Sequence, residues 1–457
     1  MLKSFMKYYK PYKKIMLLLL LVSCIRAGLE LCFPYAVRQM LEQELPSKAL
    51  NELLLWCGGL LILYIGQFAM QYAVSYCSLR LSSSMENDMR RDLFKHVQGM
   101  SFKFFDNNKS GNLISRLTSD LTEIGELASR GPNDIVICGL QMLGTMFMLL
   151  SMNKVLGAVV VVLLAFQAVH MIMVHKKMRQ TFYANRAAQG EMTAAAAESI
   201  NGARLVKAFT MEEADEKGFM AKADDFLKAR CKSFRVRAYF AGTMMFFSNF
   251  INLAILVVGG VLINQGSLSF SDLVAFFLYV GVFMKPLMQL MGFSEMYQRG
   301  MAGYQRFYEV MEQQPDIVDA KDAEELKNCR GNISFENVSF GYNEDKMVLQ
   351  NINLDIKAGE TVAFVGATGA GKSTIANLLL RFYDVSRGKI LVDGKDVRAY
   401  QQRELRKHIG LVQQDVFLFS DTVRHNIAYG KLGATDAEIE RAAQAAAADD
   451  FIEELQA

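Results

Sequence analysis

Six apolar runs constrain this chain more than any other feature. Residues 15–41, 53–79, 135–152, 155–174, 239–263 and 273–293 each reach, or nearly reach, the length at which a helix crosses the hydrocarbon layer, about 20 residues. Buried helices of a water-soluble protein are the competing reading. Against it, the stretches LLILYIGQFAM and AVVVVLLAF are apolar all round and offer no polar face to water. Apolar residues make up 52% of the chain, and the excess lies almost wholly before residue 300.

Orientation follows from the lysines. Lys3, Lys7, Lys10, Lys13 and Lys14 precede the first run, whereas the connection EQELPSK between the first two runs holds two glutamates and one lysine. The positive-inside rule then puts the N-terminus in the cytoplasm. Runs three and four are separated by SMNK and runs five and six by NQGSLSFS, so the outer face carries little chain. The inward connections, 82–132 and 175–237, are long and charged at helical spacing. They read as membrane helices that continue into the cytoplasm and turn back as helical hairpins. A cleavable signal peptide does not fit five lysines flanking a run of spanning length with no clear small-residue cleavage site after it. Five of the seven cysteines, Cys24, Cys32, Cys57, Cys77 and Cys138, lie in or beside the runs, and none sits in a C-x-x-C or Cys/His cluster. They are expected to be small apolar fillers, not disulfides or metal ligands. A net charge of +3 gives no reason to expect a nucleic-acid partner.

Residues 366–374 read GATGAGKST, after the strand-like run TVAFV (361–365) and before the helix-compatible TIANLLLRF. This is a P-loop in its expected context. Gly366, Gly369 and Gly371 leave room for backbone N–H groups, with those of Ala367, Thr368, Ala370 and Thr374, to turn onto the phosphates of ATP. Lys372 supplies a point charge and Ser373 a hydroxyl for Mg²⁺. The polar, proline-containing stretch 311–332 marks a domain boundary. Beyond it, ISFENVSFGY, NINLDI, TVAFVG and IGLVQQDVFLF read as strands, KILVDGKDV as a hairpin around Asp393-Gly394, and the alanine-rich AAQAAAA as ordinary helix.

These features together resemble a half-transporter of the ATP-binding cassette (ABC) exporter family, of the lipid-flippase and multidrug-exporter type, and the resemblance spans the whole length. FKFFDNNKSGNLISRLTSD (102–120) resembles the family's first intracellular loop and ESINGARLVKAFTMEE (198–213) its second. QRGMAGYQRFYEVMEQQPDI (298–317) resembles the exit from the sixth helix, VSFGY (338–342) the aromatic loop, and LVQQDVFLFSDTVRHNIAYG (411–430) the glutamine loop. The resemblance implies a helical membrane domain over 1–310, a linker over 311–332 and the N-terminal part of an α/β ATP-binding domain over 333–457. It further implies Tyr342 stacked on adenine, Gln414 completing the Mg²⁺ shell with Ser373, and the two intracellular loops docked near Gln414. A second half-transporter, identical or not, would complete the assembly in the cell membrane, with both N-terminus and ATP-binding domain cytoplasmic.

The implied function is ATP-driven export, or flipping, of a lipophilic substrate. The residues leave open a non-hydrolytic ATP-binding half of a heterodimer, and an importer on the same fold. The family's LSGGQ segment, the apolar strand ending in Asp-Glu and the following histidine do not occur among these residues, and Asp449-Asp450 follows alanines. The chain therefore reads as a transporter cut short. Residues 1–457 expressed alone are expected to show no phosphate release above a Lys372→Ala control. Charges inside spans are costly and so usually have a role. Arg26 and Glu30, spaced i and i+4, are either a paired strut or cavity-lining charges for an anionic headgroup, and Lys285 beside Pro286 is the third candidate. Gln67, Gln71, Gln141, Asn249 and Asn252 are expected to be interhelical glue.

Overall fold

The computed structural model describes residues 2–44, 50–343, 346–367, 369–413, 416–431 and 433–455. They fall into two compact units, Met1–Met100 with Phe104–Pro315, and Ser101–Lys103 with Asp316–Ala457.

The first unit is helical. Its long helices are Lys13–Gln39, Leu50–Gln98, Ser119–Met152, Lys154–Asn201, Glu212–Asn264 and Phe270–Glu312, and each contains a stretch long and apolar enough to cross a membrane. The second to fifth run well past their apolar stretches, so the charged connections are indeed helical extensions, joined by the short helices Phe102–Asn107, Ser110–Leu117 and Ala203–Ala208. The tight turn after the third helix has a local cause. Asn153 is extended (ψ 120°), and its Oδ1 accepts from the N–H groups of Val155 and Leu156 at 3.0 and 3.1 Å, which caps the fourth helix. The sixth helix begins at a capping box, in which Ser269 Oγ accepts from Asp272 N–H and the Asp272 carboxylate accepts from Ser269 N–H.

The third helix packs along the sixth, the fourth along the fifth, and the first against the second and third. Gly300 makes one of these approaches possible, since a Cβ there would lie 2.6 Å from Leu127 Cβ. Phe276, Tyr279, Ile251, Ile255, Val160 and Leu164 belong to the central core. By contrast, Leu55, Ile62 and Phe68 of the second helix are exposed. That outward face is apolar because lipid, not water, is its solvent.

The second unit holds a four-stranded antiparallel sheet in the order β2-β1-β3-β4, with β1 Ile333–Phe340, β2 Leu349–Ile356, β3 Arg387–Val392 and β4 Lys395–Asp396. Phe335 stands opposite Leu354 on one side and Ile390 on the other, and with Val338, Leu378 and Val392 it forms the core. The hairpin expected at Asp393-Gly394 is present, with φ of 50° and 81°, the left-handed pair a tight two-residue turn requires.

Three expectations fail. TVAFV (361–365) is not a strand, and neither are the described residues of IGLVQQDVFLF. Val365 is 95% and Val412 97% exposed; a strand exists only through its ladder, and no described segment pairs with either. The alanine tract is not one helix, because the helix Asp436–Ala445 stops before Ala447, whose φ of 51° breaks the run.

Candidate nucleotide site

The P-loop leads into the helix Lys372–Leu379. Gly369 and Gly371 have φ of 87° and 86°, a region that side chains with a Cβ rarely enter. Gly371 is required twice over, since a Cβ there would also fall 2.6 Å from Leu349 Cδ2. The Lys372 ammonium donates to the carbonyls of Gly366 and Ala367 at 2.8 and 2.9 Å. It therefore spans the mouth of its own loop, at the helix N-terminus whose free N–H groups favour an anion. Ser373 is exposed on the first turn, a position from which its hydroxyl can reach an ion. Gly366, Ala367, Gly369 and Ala370 line the exposed loop. Thr368 and Gln414 lie outside the described residues.

Tyr342 is 39% exposed, and its hydroxyl lies 3.2 Å from Thr374 Oγ1, so the aromatic segment touches the P-loop helix directly. Its ring lies nearly perpendicular to those of Phe340 and Tyr383, at centroid distances of 5.0 and 5.1 Å.

Two arginines that sequence reasoning passed over support this helix from its far end. Arg406 donates from Nε to Leu380 O at 3.1 Å and from Nη2 to Arg381 O at 2.9 Å, and its guanidinium sits 5.1 Å from the Phe382 ring. Burial holds its proton affinity below the usual guanidinium range. A cation on the last carbonyls of a helix opposes the dipole there. Buried Arg381, at φ 51°, donates to Asp384 at 3.1 Å and pairs with Asp319 at 3.7 Å. Residue spacing does not announce Arg406, whose carbonyl acceptors lie 26 and 25 positions away, nor the pairing of Arg381 with Asp319, although Arg381–Asp384 is a local i,i+3 contact. Arg406→Ala is expected to loosen the C-terminal turn by about 1–2 kcal/mol. Hydrogen exchange at residues 375–379 should speed about tenfold or more while the strands stay protected.

In the helical unit, Arg26 donates to Glu30 from Nε and Nη2 at 3.2 and 3.1 Å, and the second carboxylate oxygen of Glu30 accepts from Gln141 of the third helix. This is the strut geometry. Gln67 donates to Leu29 O at 3.1 Å and so joins the second helix to the first. Gln71 does not act as glue, because it donates to Ser75 one turn along its own helix. The side chains of Asn249 and Asn252 make no hydrogen bond among the described residues, since the fifth helix faces its neighbours with other residues such as Met244, Ile251 and Ile255. Lys285 is exposed and has no ion pair among the described residues, while Pro286 is buried within the sixth helix.

Residues 15–287 match the family model of the ABC transporter transmembrane region, and residues 349–456 match the family model described as ABC transporter. The ABC transporter ATP-binding protein YwjA of Bacillus subtilis is 39% identical over 456 residues, covering 100% of this chain and 79% of that protein. An ATP-dependent lipid A-core flippase of Syntrophus aciditrophicus is 31% identical over 99% of this chain and 75% of its own length. The structure of a bacterial Atm1-family ABC exporter with ATP bound superposes with a TM-score of 0.74 at 23% identity, over 97% of this chain and 78% of that one.

Proposed function

This chain belongs to the ABC transporters, as a half-transporter of the exporter type, and from that premise we propose that it pairs with a second half and uses ATP to move a lipophilic or amphipathic substrate across the cell membrane by alternating access. The observation that carries the reading is the conjunction of six membrane-length helices with a P-loop whose Lys372 already bridges the loop carbonyls at a helix N-terminus. ATP with Mg²⁺ supplies, when bound, the free energy of γ-phosphoryl cleavage. The chain's own part is to hold it: the P-loop N–H groups and Lys372 take the phosphates, Tyr342 takes the base, and Ser373 with Gln414 takes the metal. The N-terminus and the ATP-binding unit face the cytoplasm on this reading, because the lysines before the first span do.

The relative named as a lipid A-core flippase makes an amphipathic cargo the natural class. The Arg26–Glu30–Gln141 bonding favours a structural strut over a headgroup-binding charge, since both partners of the pair are already used. Nucleotide titration of the full-length protein with fluorescent ATP tests the pocket. Tyr342→Ala should weaken binding about tenfold, by loss of one stacking face, worth about 1–3 kcal/mol. Unchanged affinity in both Tyr342→Ala and Lys372→Ala would refute the assignment.

A further inference from the structure

A groove of about 690 Å³ lies in the helical unit, between the N-terminal segment and the third and sixth long helices. Its lining includes Tyr9, Lys10, Lys13, Ile135, Phe293 and Tyr297, and it contains no carboxylate. Lys10 and Lys13 are exposed and make no ion pair or hydrogen bond among the described residues. One wall is fixed in place: Tyr9 donates to Ala128 O at 2.7 Å, and Tyr12 donates to Asp88 at 2.8 Å. The Phe5 ring packs edge-on against Tyr304 at 4.9 Å. The groove is therefore formed before any ligand arrives.

Its level in the membrane can be read from the apolar runs. Ile135 begins the third run, Phe293 ends the sixth, and Lys13 stands just ahead of the first, with Lys14 between. All three line the one groove, so it opens at a membrane boundary, with ammonium groups at the boundary and apolar walls beside the spans. Lys10 and Lys13 thus give the groove two positive charges and no negative one. We propose that this groove binds an anionic phospholipid of the surrounding bilayer, with the phosphate between Lys10 and Lys13 and an acyl chain along Ile135 and Phe293. A zwitterionic lipid brings its own cation towards the lysines and is the poorer fit. The site depends on membrane insertion and not on the nucleotide chemistry, so its failure would leave the proposed export function untouched.

Native mass spectrometry of the full-length protein in detergent, titrated with dioleoylphosphatidylglycerol or dioleoylphosphatidylcholine, tests it. The glycerol lipid should bind at least about tenfold more tightly. K10A/K13A should cost about 30-fold, at roughly fivefold per lysine near a membrane surface, whereas K10R/K13R should stay within about twofold. Ile135 is 54% exposed, so Ile135→Trp can fill the groove without disturbing the core, and it should displace the lipid although both lysines remain. That variant carries the test if the double alanine protein inserts poorly. Equal binding of the two lipids, or affinity unmoved by Ile135→Trp, would overturn the proposal. Competition by glycerol 3-phosphate, which has no chains, would overturn it as well.

Discussion

In the full-length protein, Lys372→Ala is expected to reduce Mg²⁺-dependent ATP hydrolysis by at least about 100-fold. The side chain is the P-loop's only cation and is already held at the loop mouth by the carbonyls of Gly366 and Ala367. Phosphoryl transfer depends on positioning and charge stabilisation acting together, so losing the cation removes more than one contact's worth of rate. Phosphate release from purified protein in lipid is the readout. Gly371→Ala should give a similar loss by another route, since a Cβ at φ 86° would be strained and would press on Leu349. The two losses are separable: the glycine variant should also lower the protection of the P-loop helix against hydrogen exchange, and the lysine variant should not.

The second large effect lies in the membrane helices. Glu30→Ala strands the Arg26 guanidinium, and leaves Gln141 without its acceptor, in a region with little water. Breaking a buried pair from one side costs about 3–5 kcal/mol, whereas replacing both partners by apolar residues is often near neutral. The side chains of Arg26 and Glu30 are 24% and 15% exposed, so the lower end, about 3 kcal/mol, is expected. Arg26→Met with Glu30→Leu should recover the part due to the stranded guanidinium, leaving the smaller cost of Gln141 without its acceptor. Thermal unfolding in lipid gives the stabilities, and transport by the double variant decides the role. A strut predicts near-normal transport, and a headgroup-binding charge predicts its loss.

How much of this was legible in the sequence varied with the range of the interaction. The membrane helices were legible because apolarity over a whole span is a local property, and the helical hairpins because charge at helical spacing is local too. The Asp393-Gly394 turn declared itself in two residues. Membership of the ABC transporters followed from motifs in order, and matches to family models over both regions agree. TVAFV misled because apolar, β-branched composition records that a segment can join a sheet, while the ladder that makes it a strand depends on neighbours far along the chain. Gln71 misled because a polar residue in a span can find its partner one turn along the same helix. Arg406 was illegible, since only the folded chain brings it to the end of the P-loop helix, and so was the pairing of Arg381 with Asp319.

The central claim, that nucleotide chemistry at Lys372 drives movement of a lipophilic substrate across the membrane, is tested most directly by transport. Inside-out vesicles carrying the full-length protein would be loaded with a panel of fluorescent lipids and lipophilic cations, and uptake measured with ATP, with a non-hydrolysable analogue, and with the Lys372→Ala variant. The account predicts uptake of at least one probe that needs hydrolysable ATP and disappears in the variant. Uptake that persists undiminished in Lys372→Ala, or that runs equally well on the non-hydrolysable analogue, would contradict it.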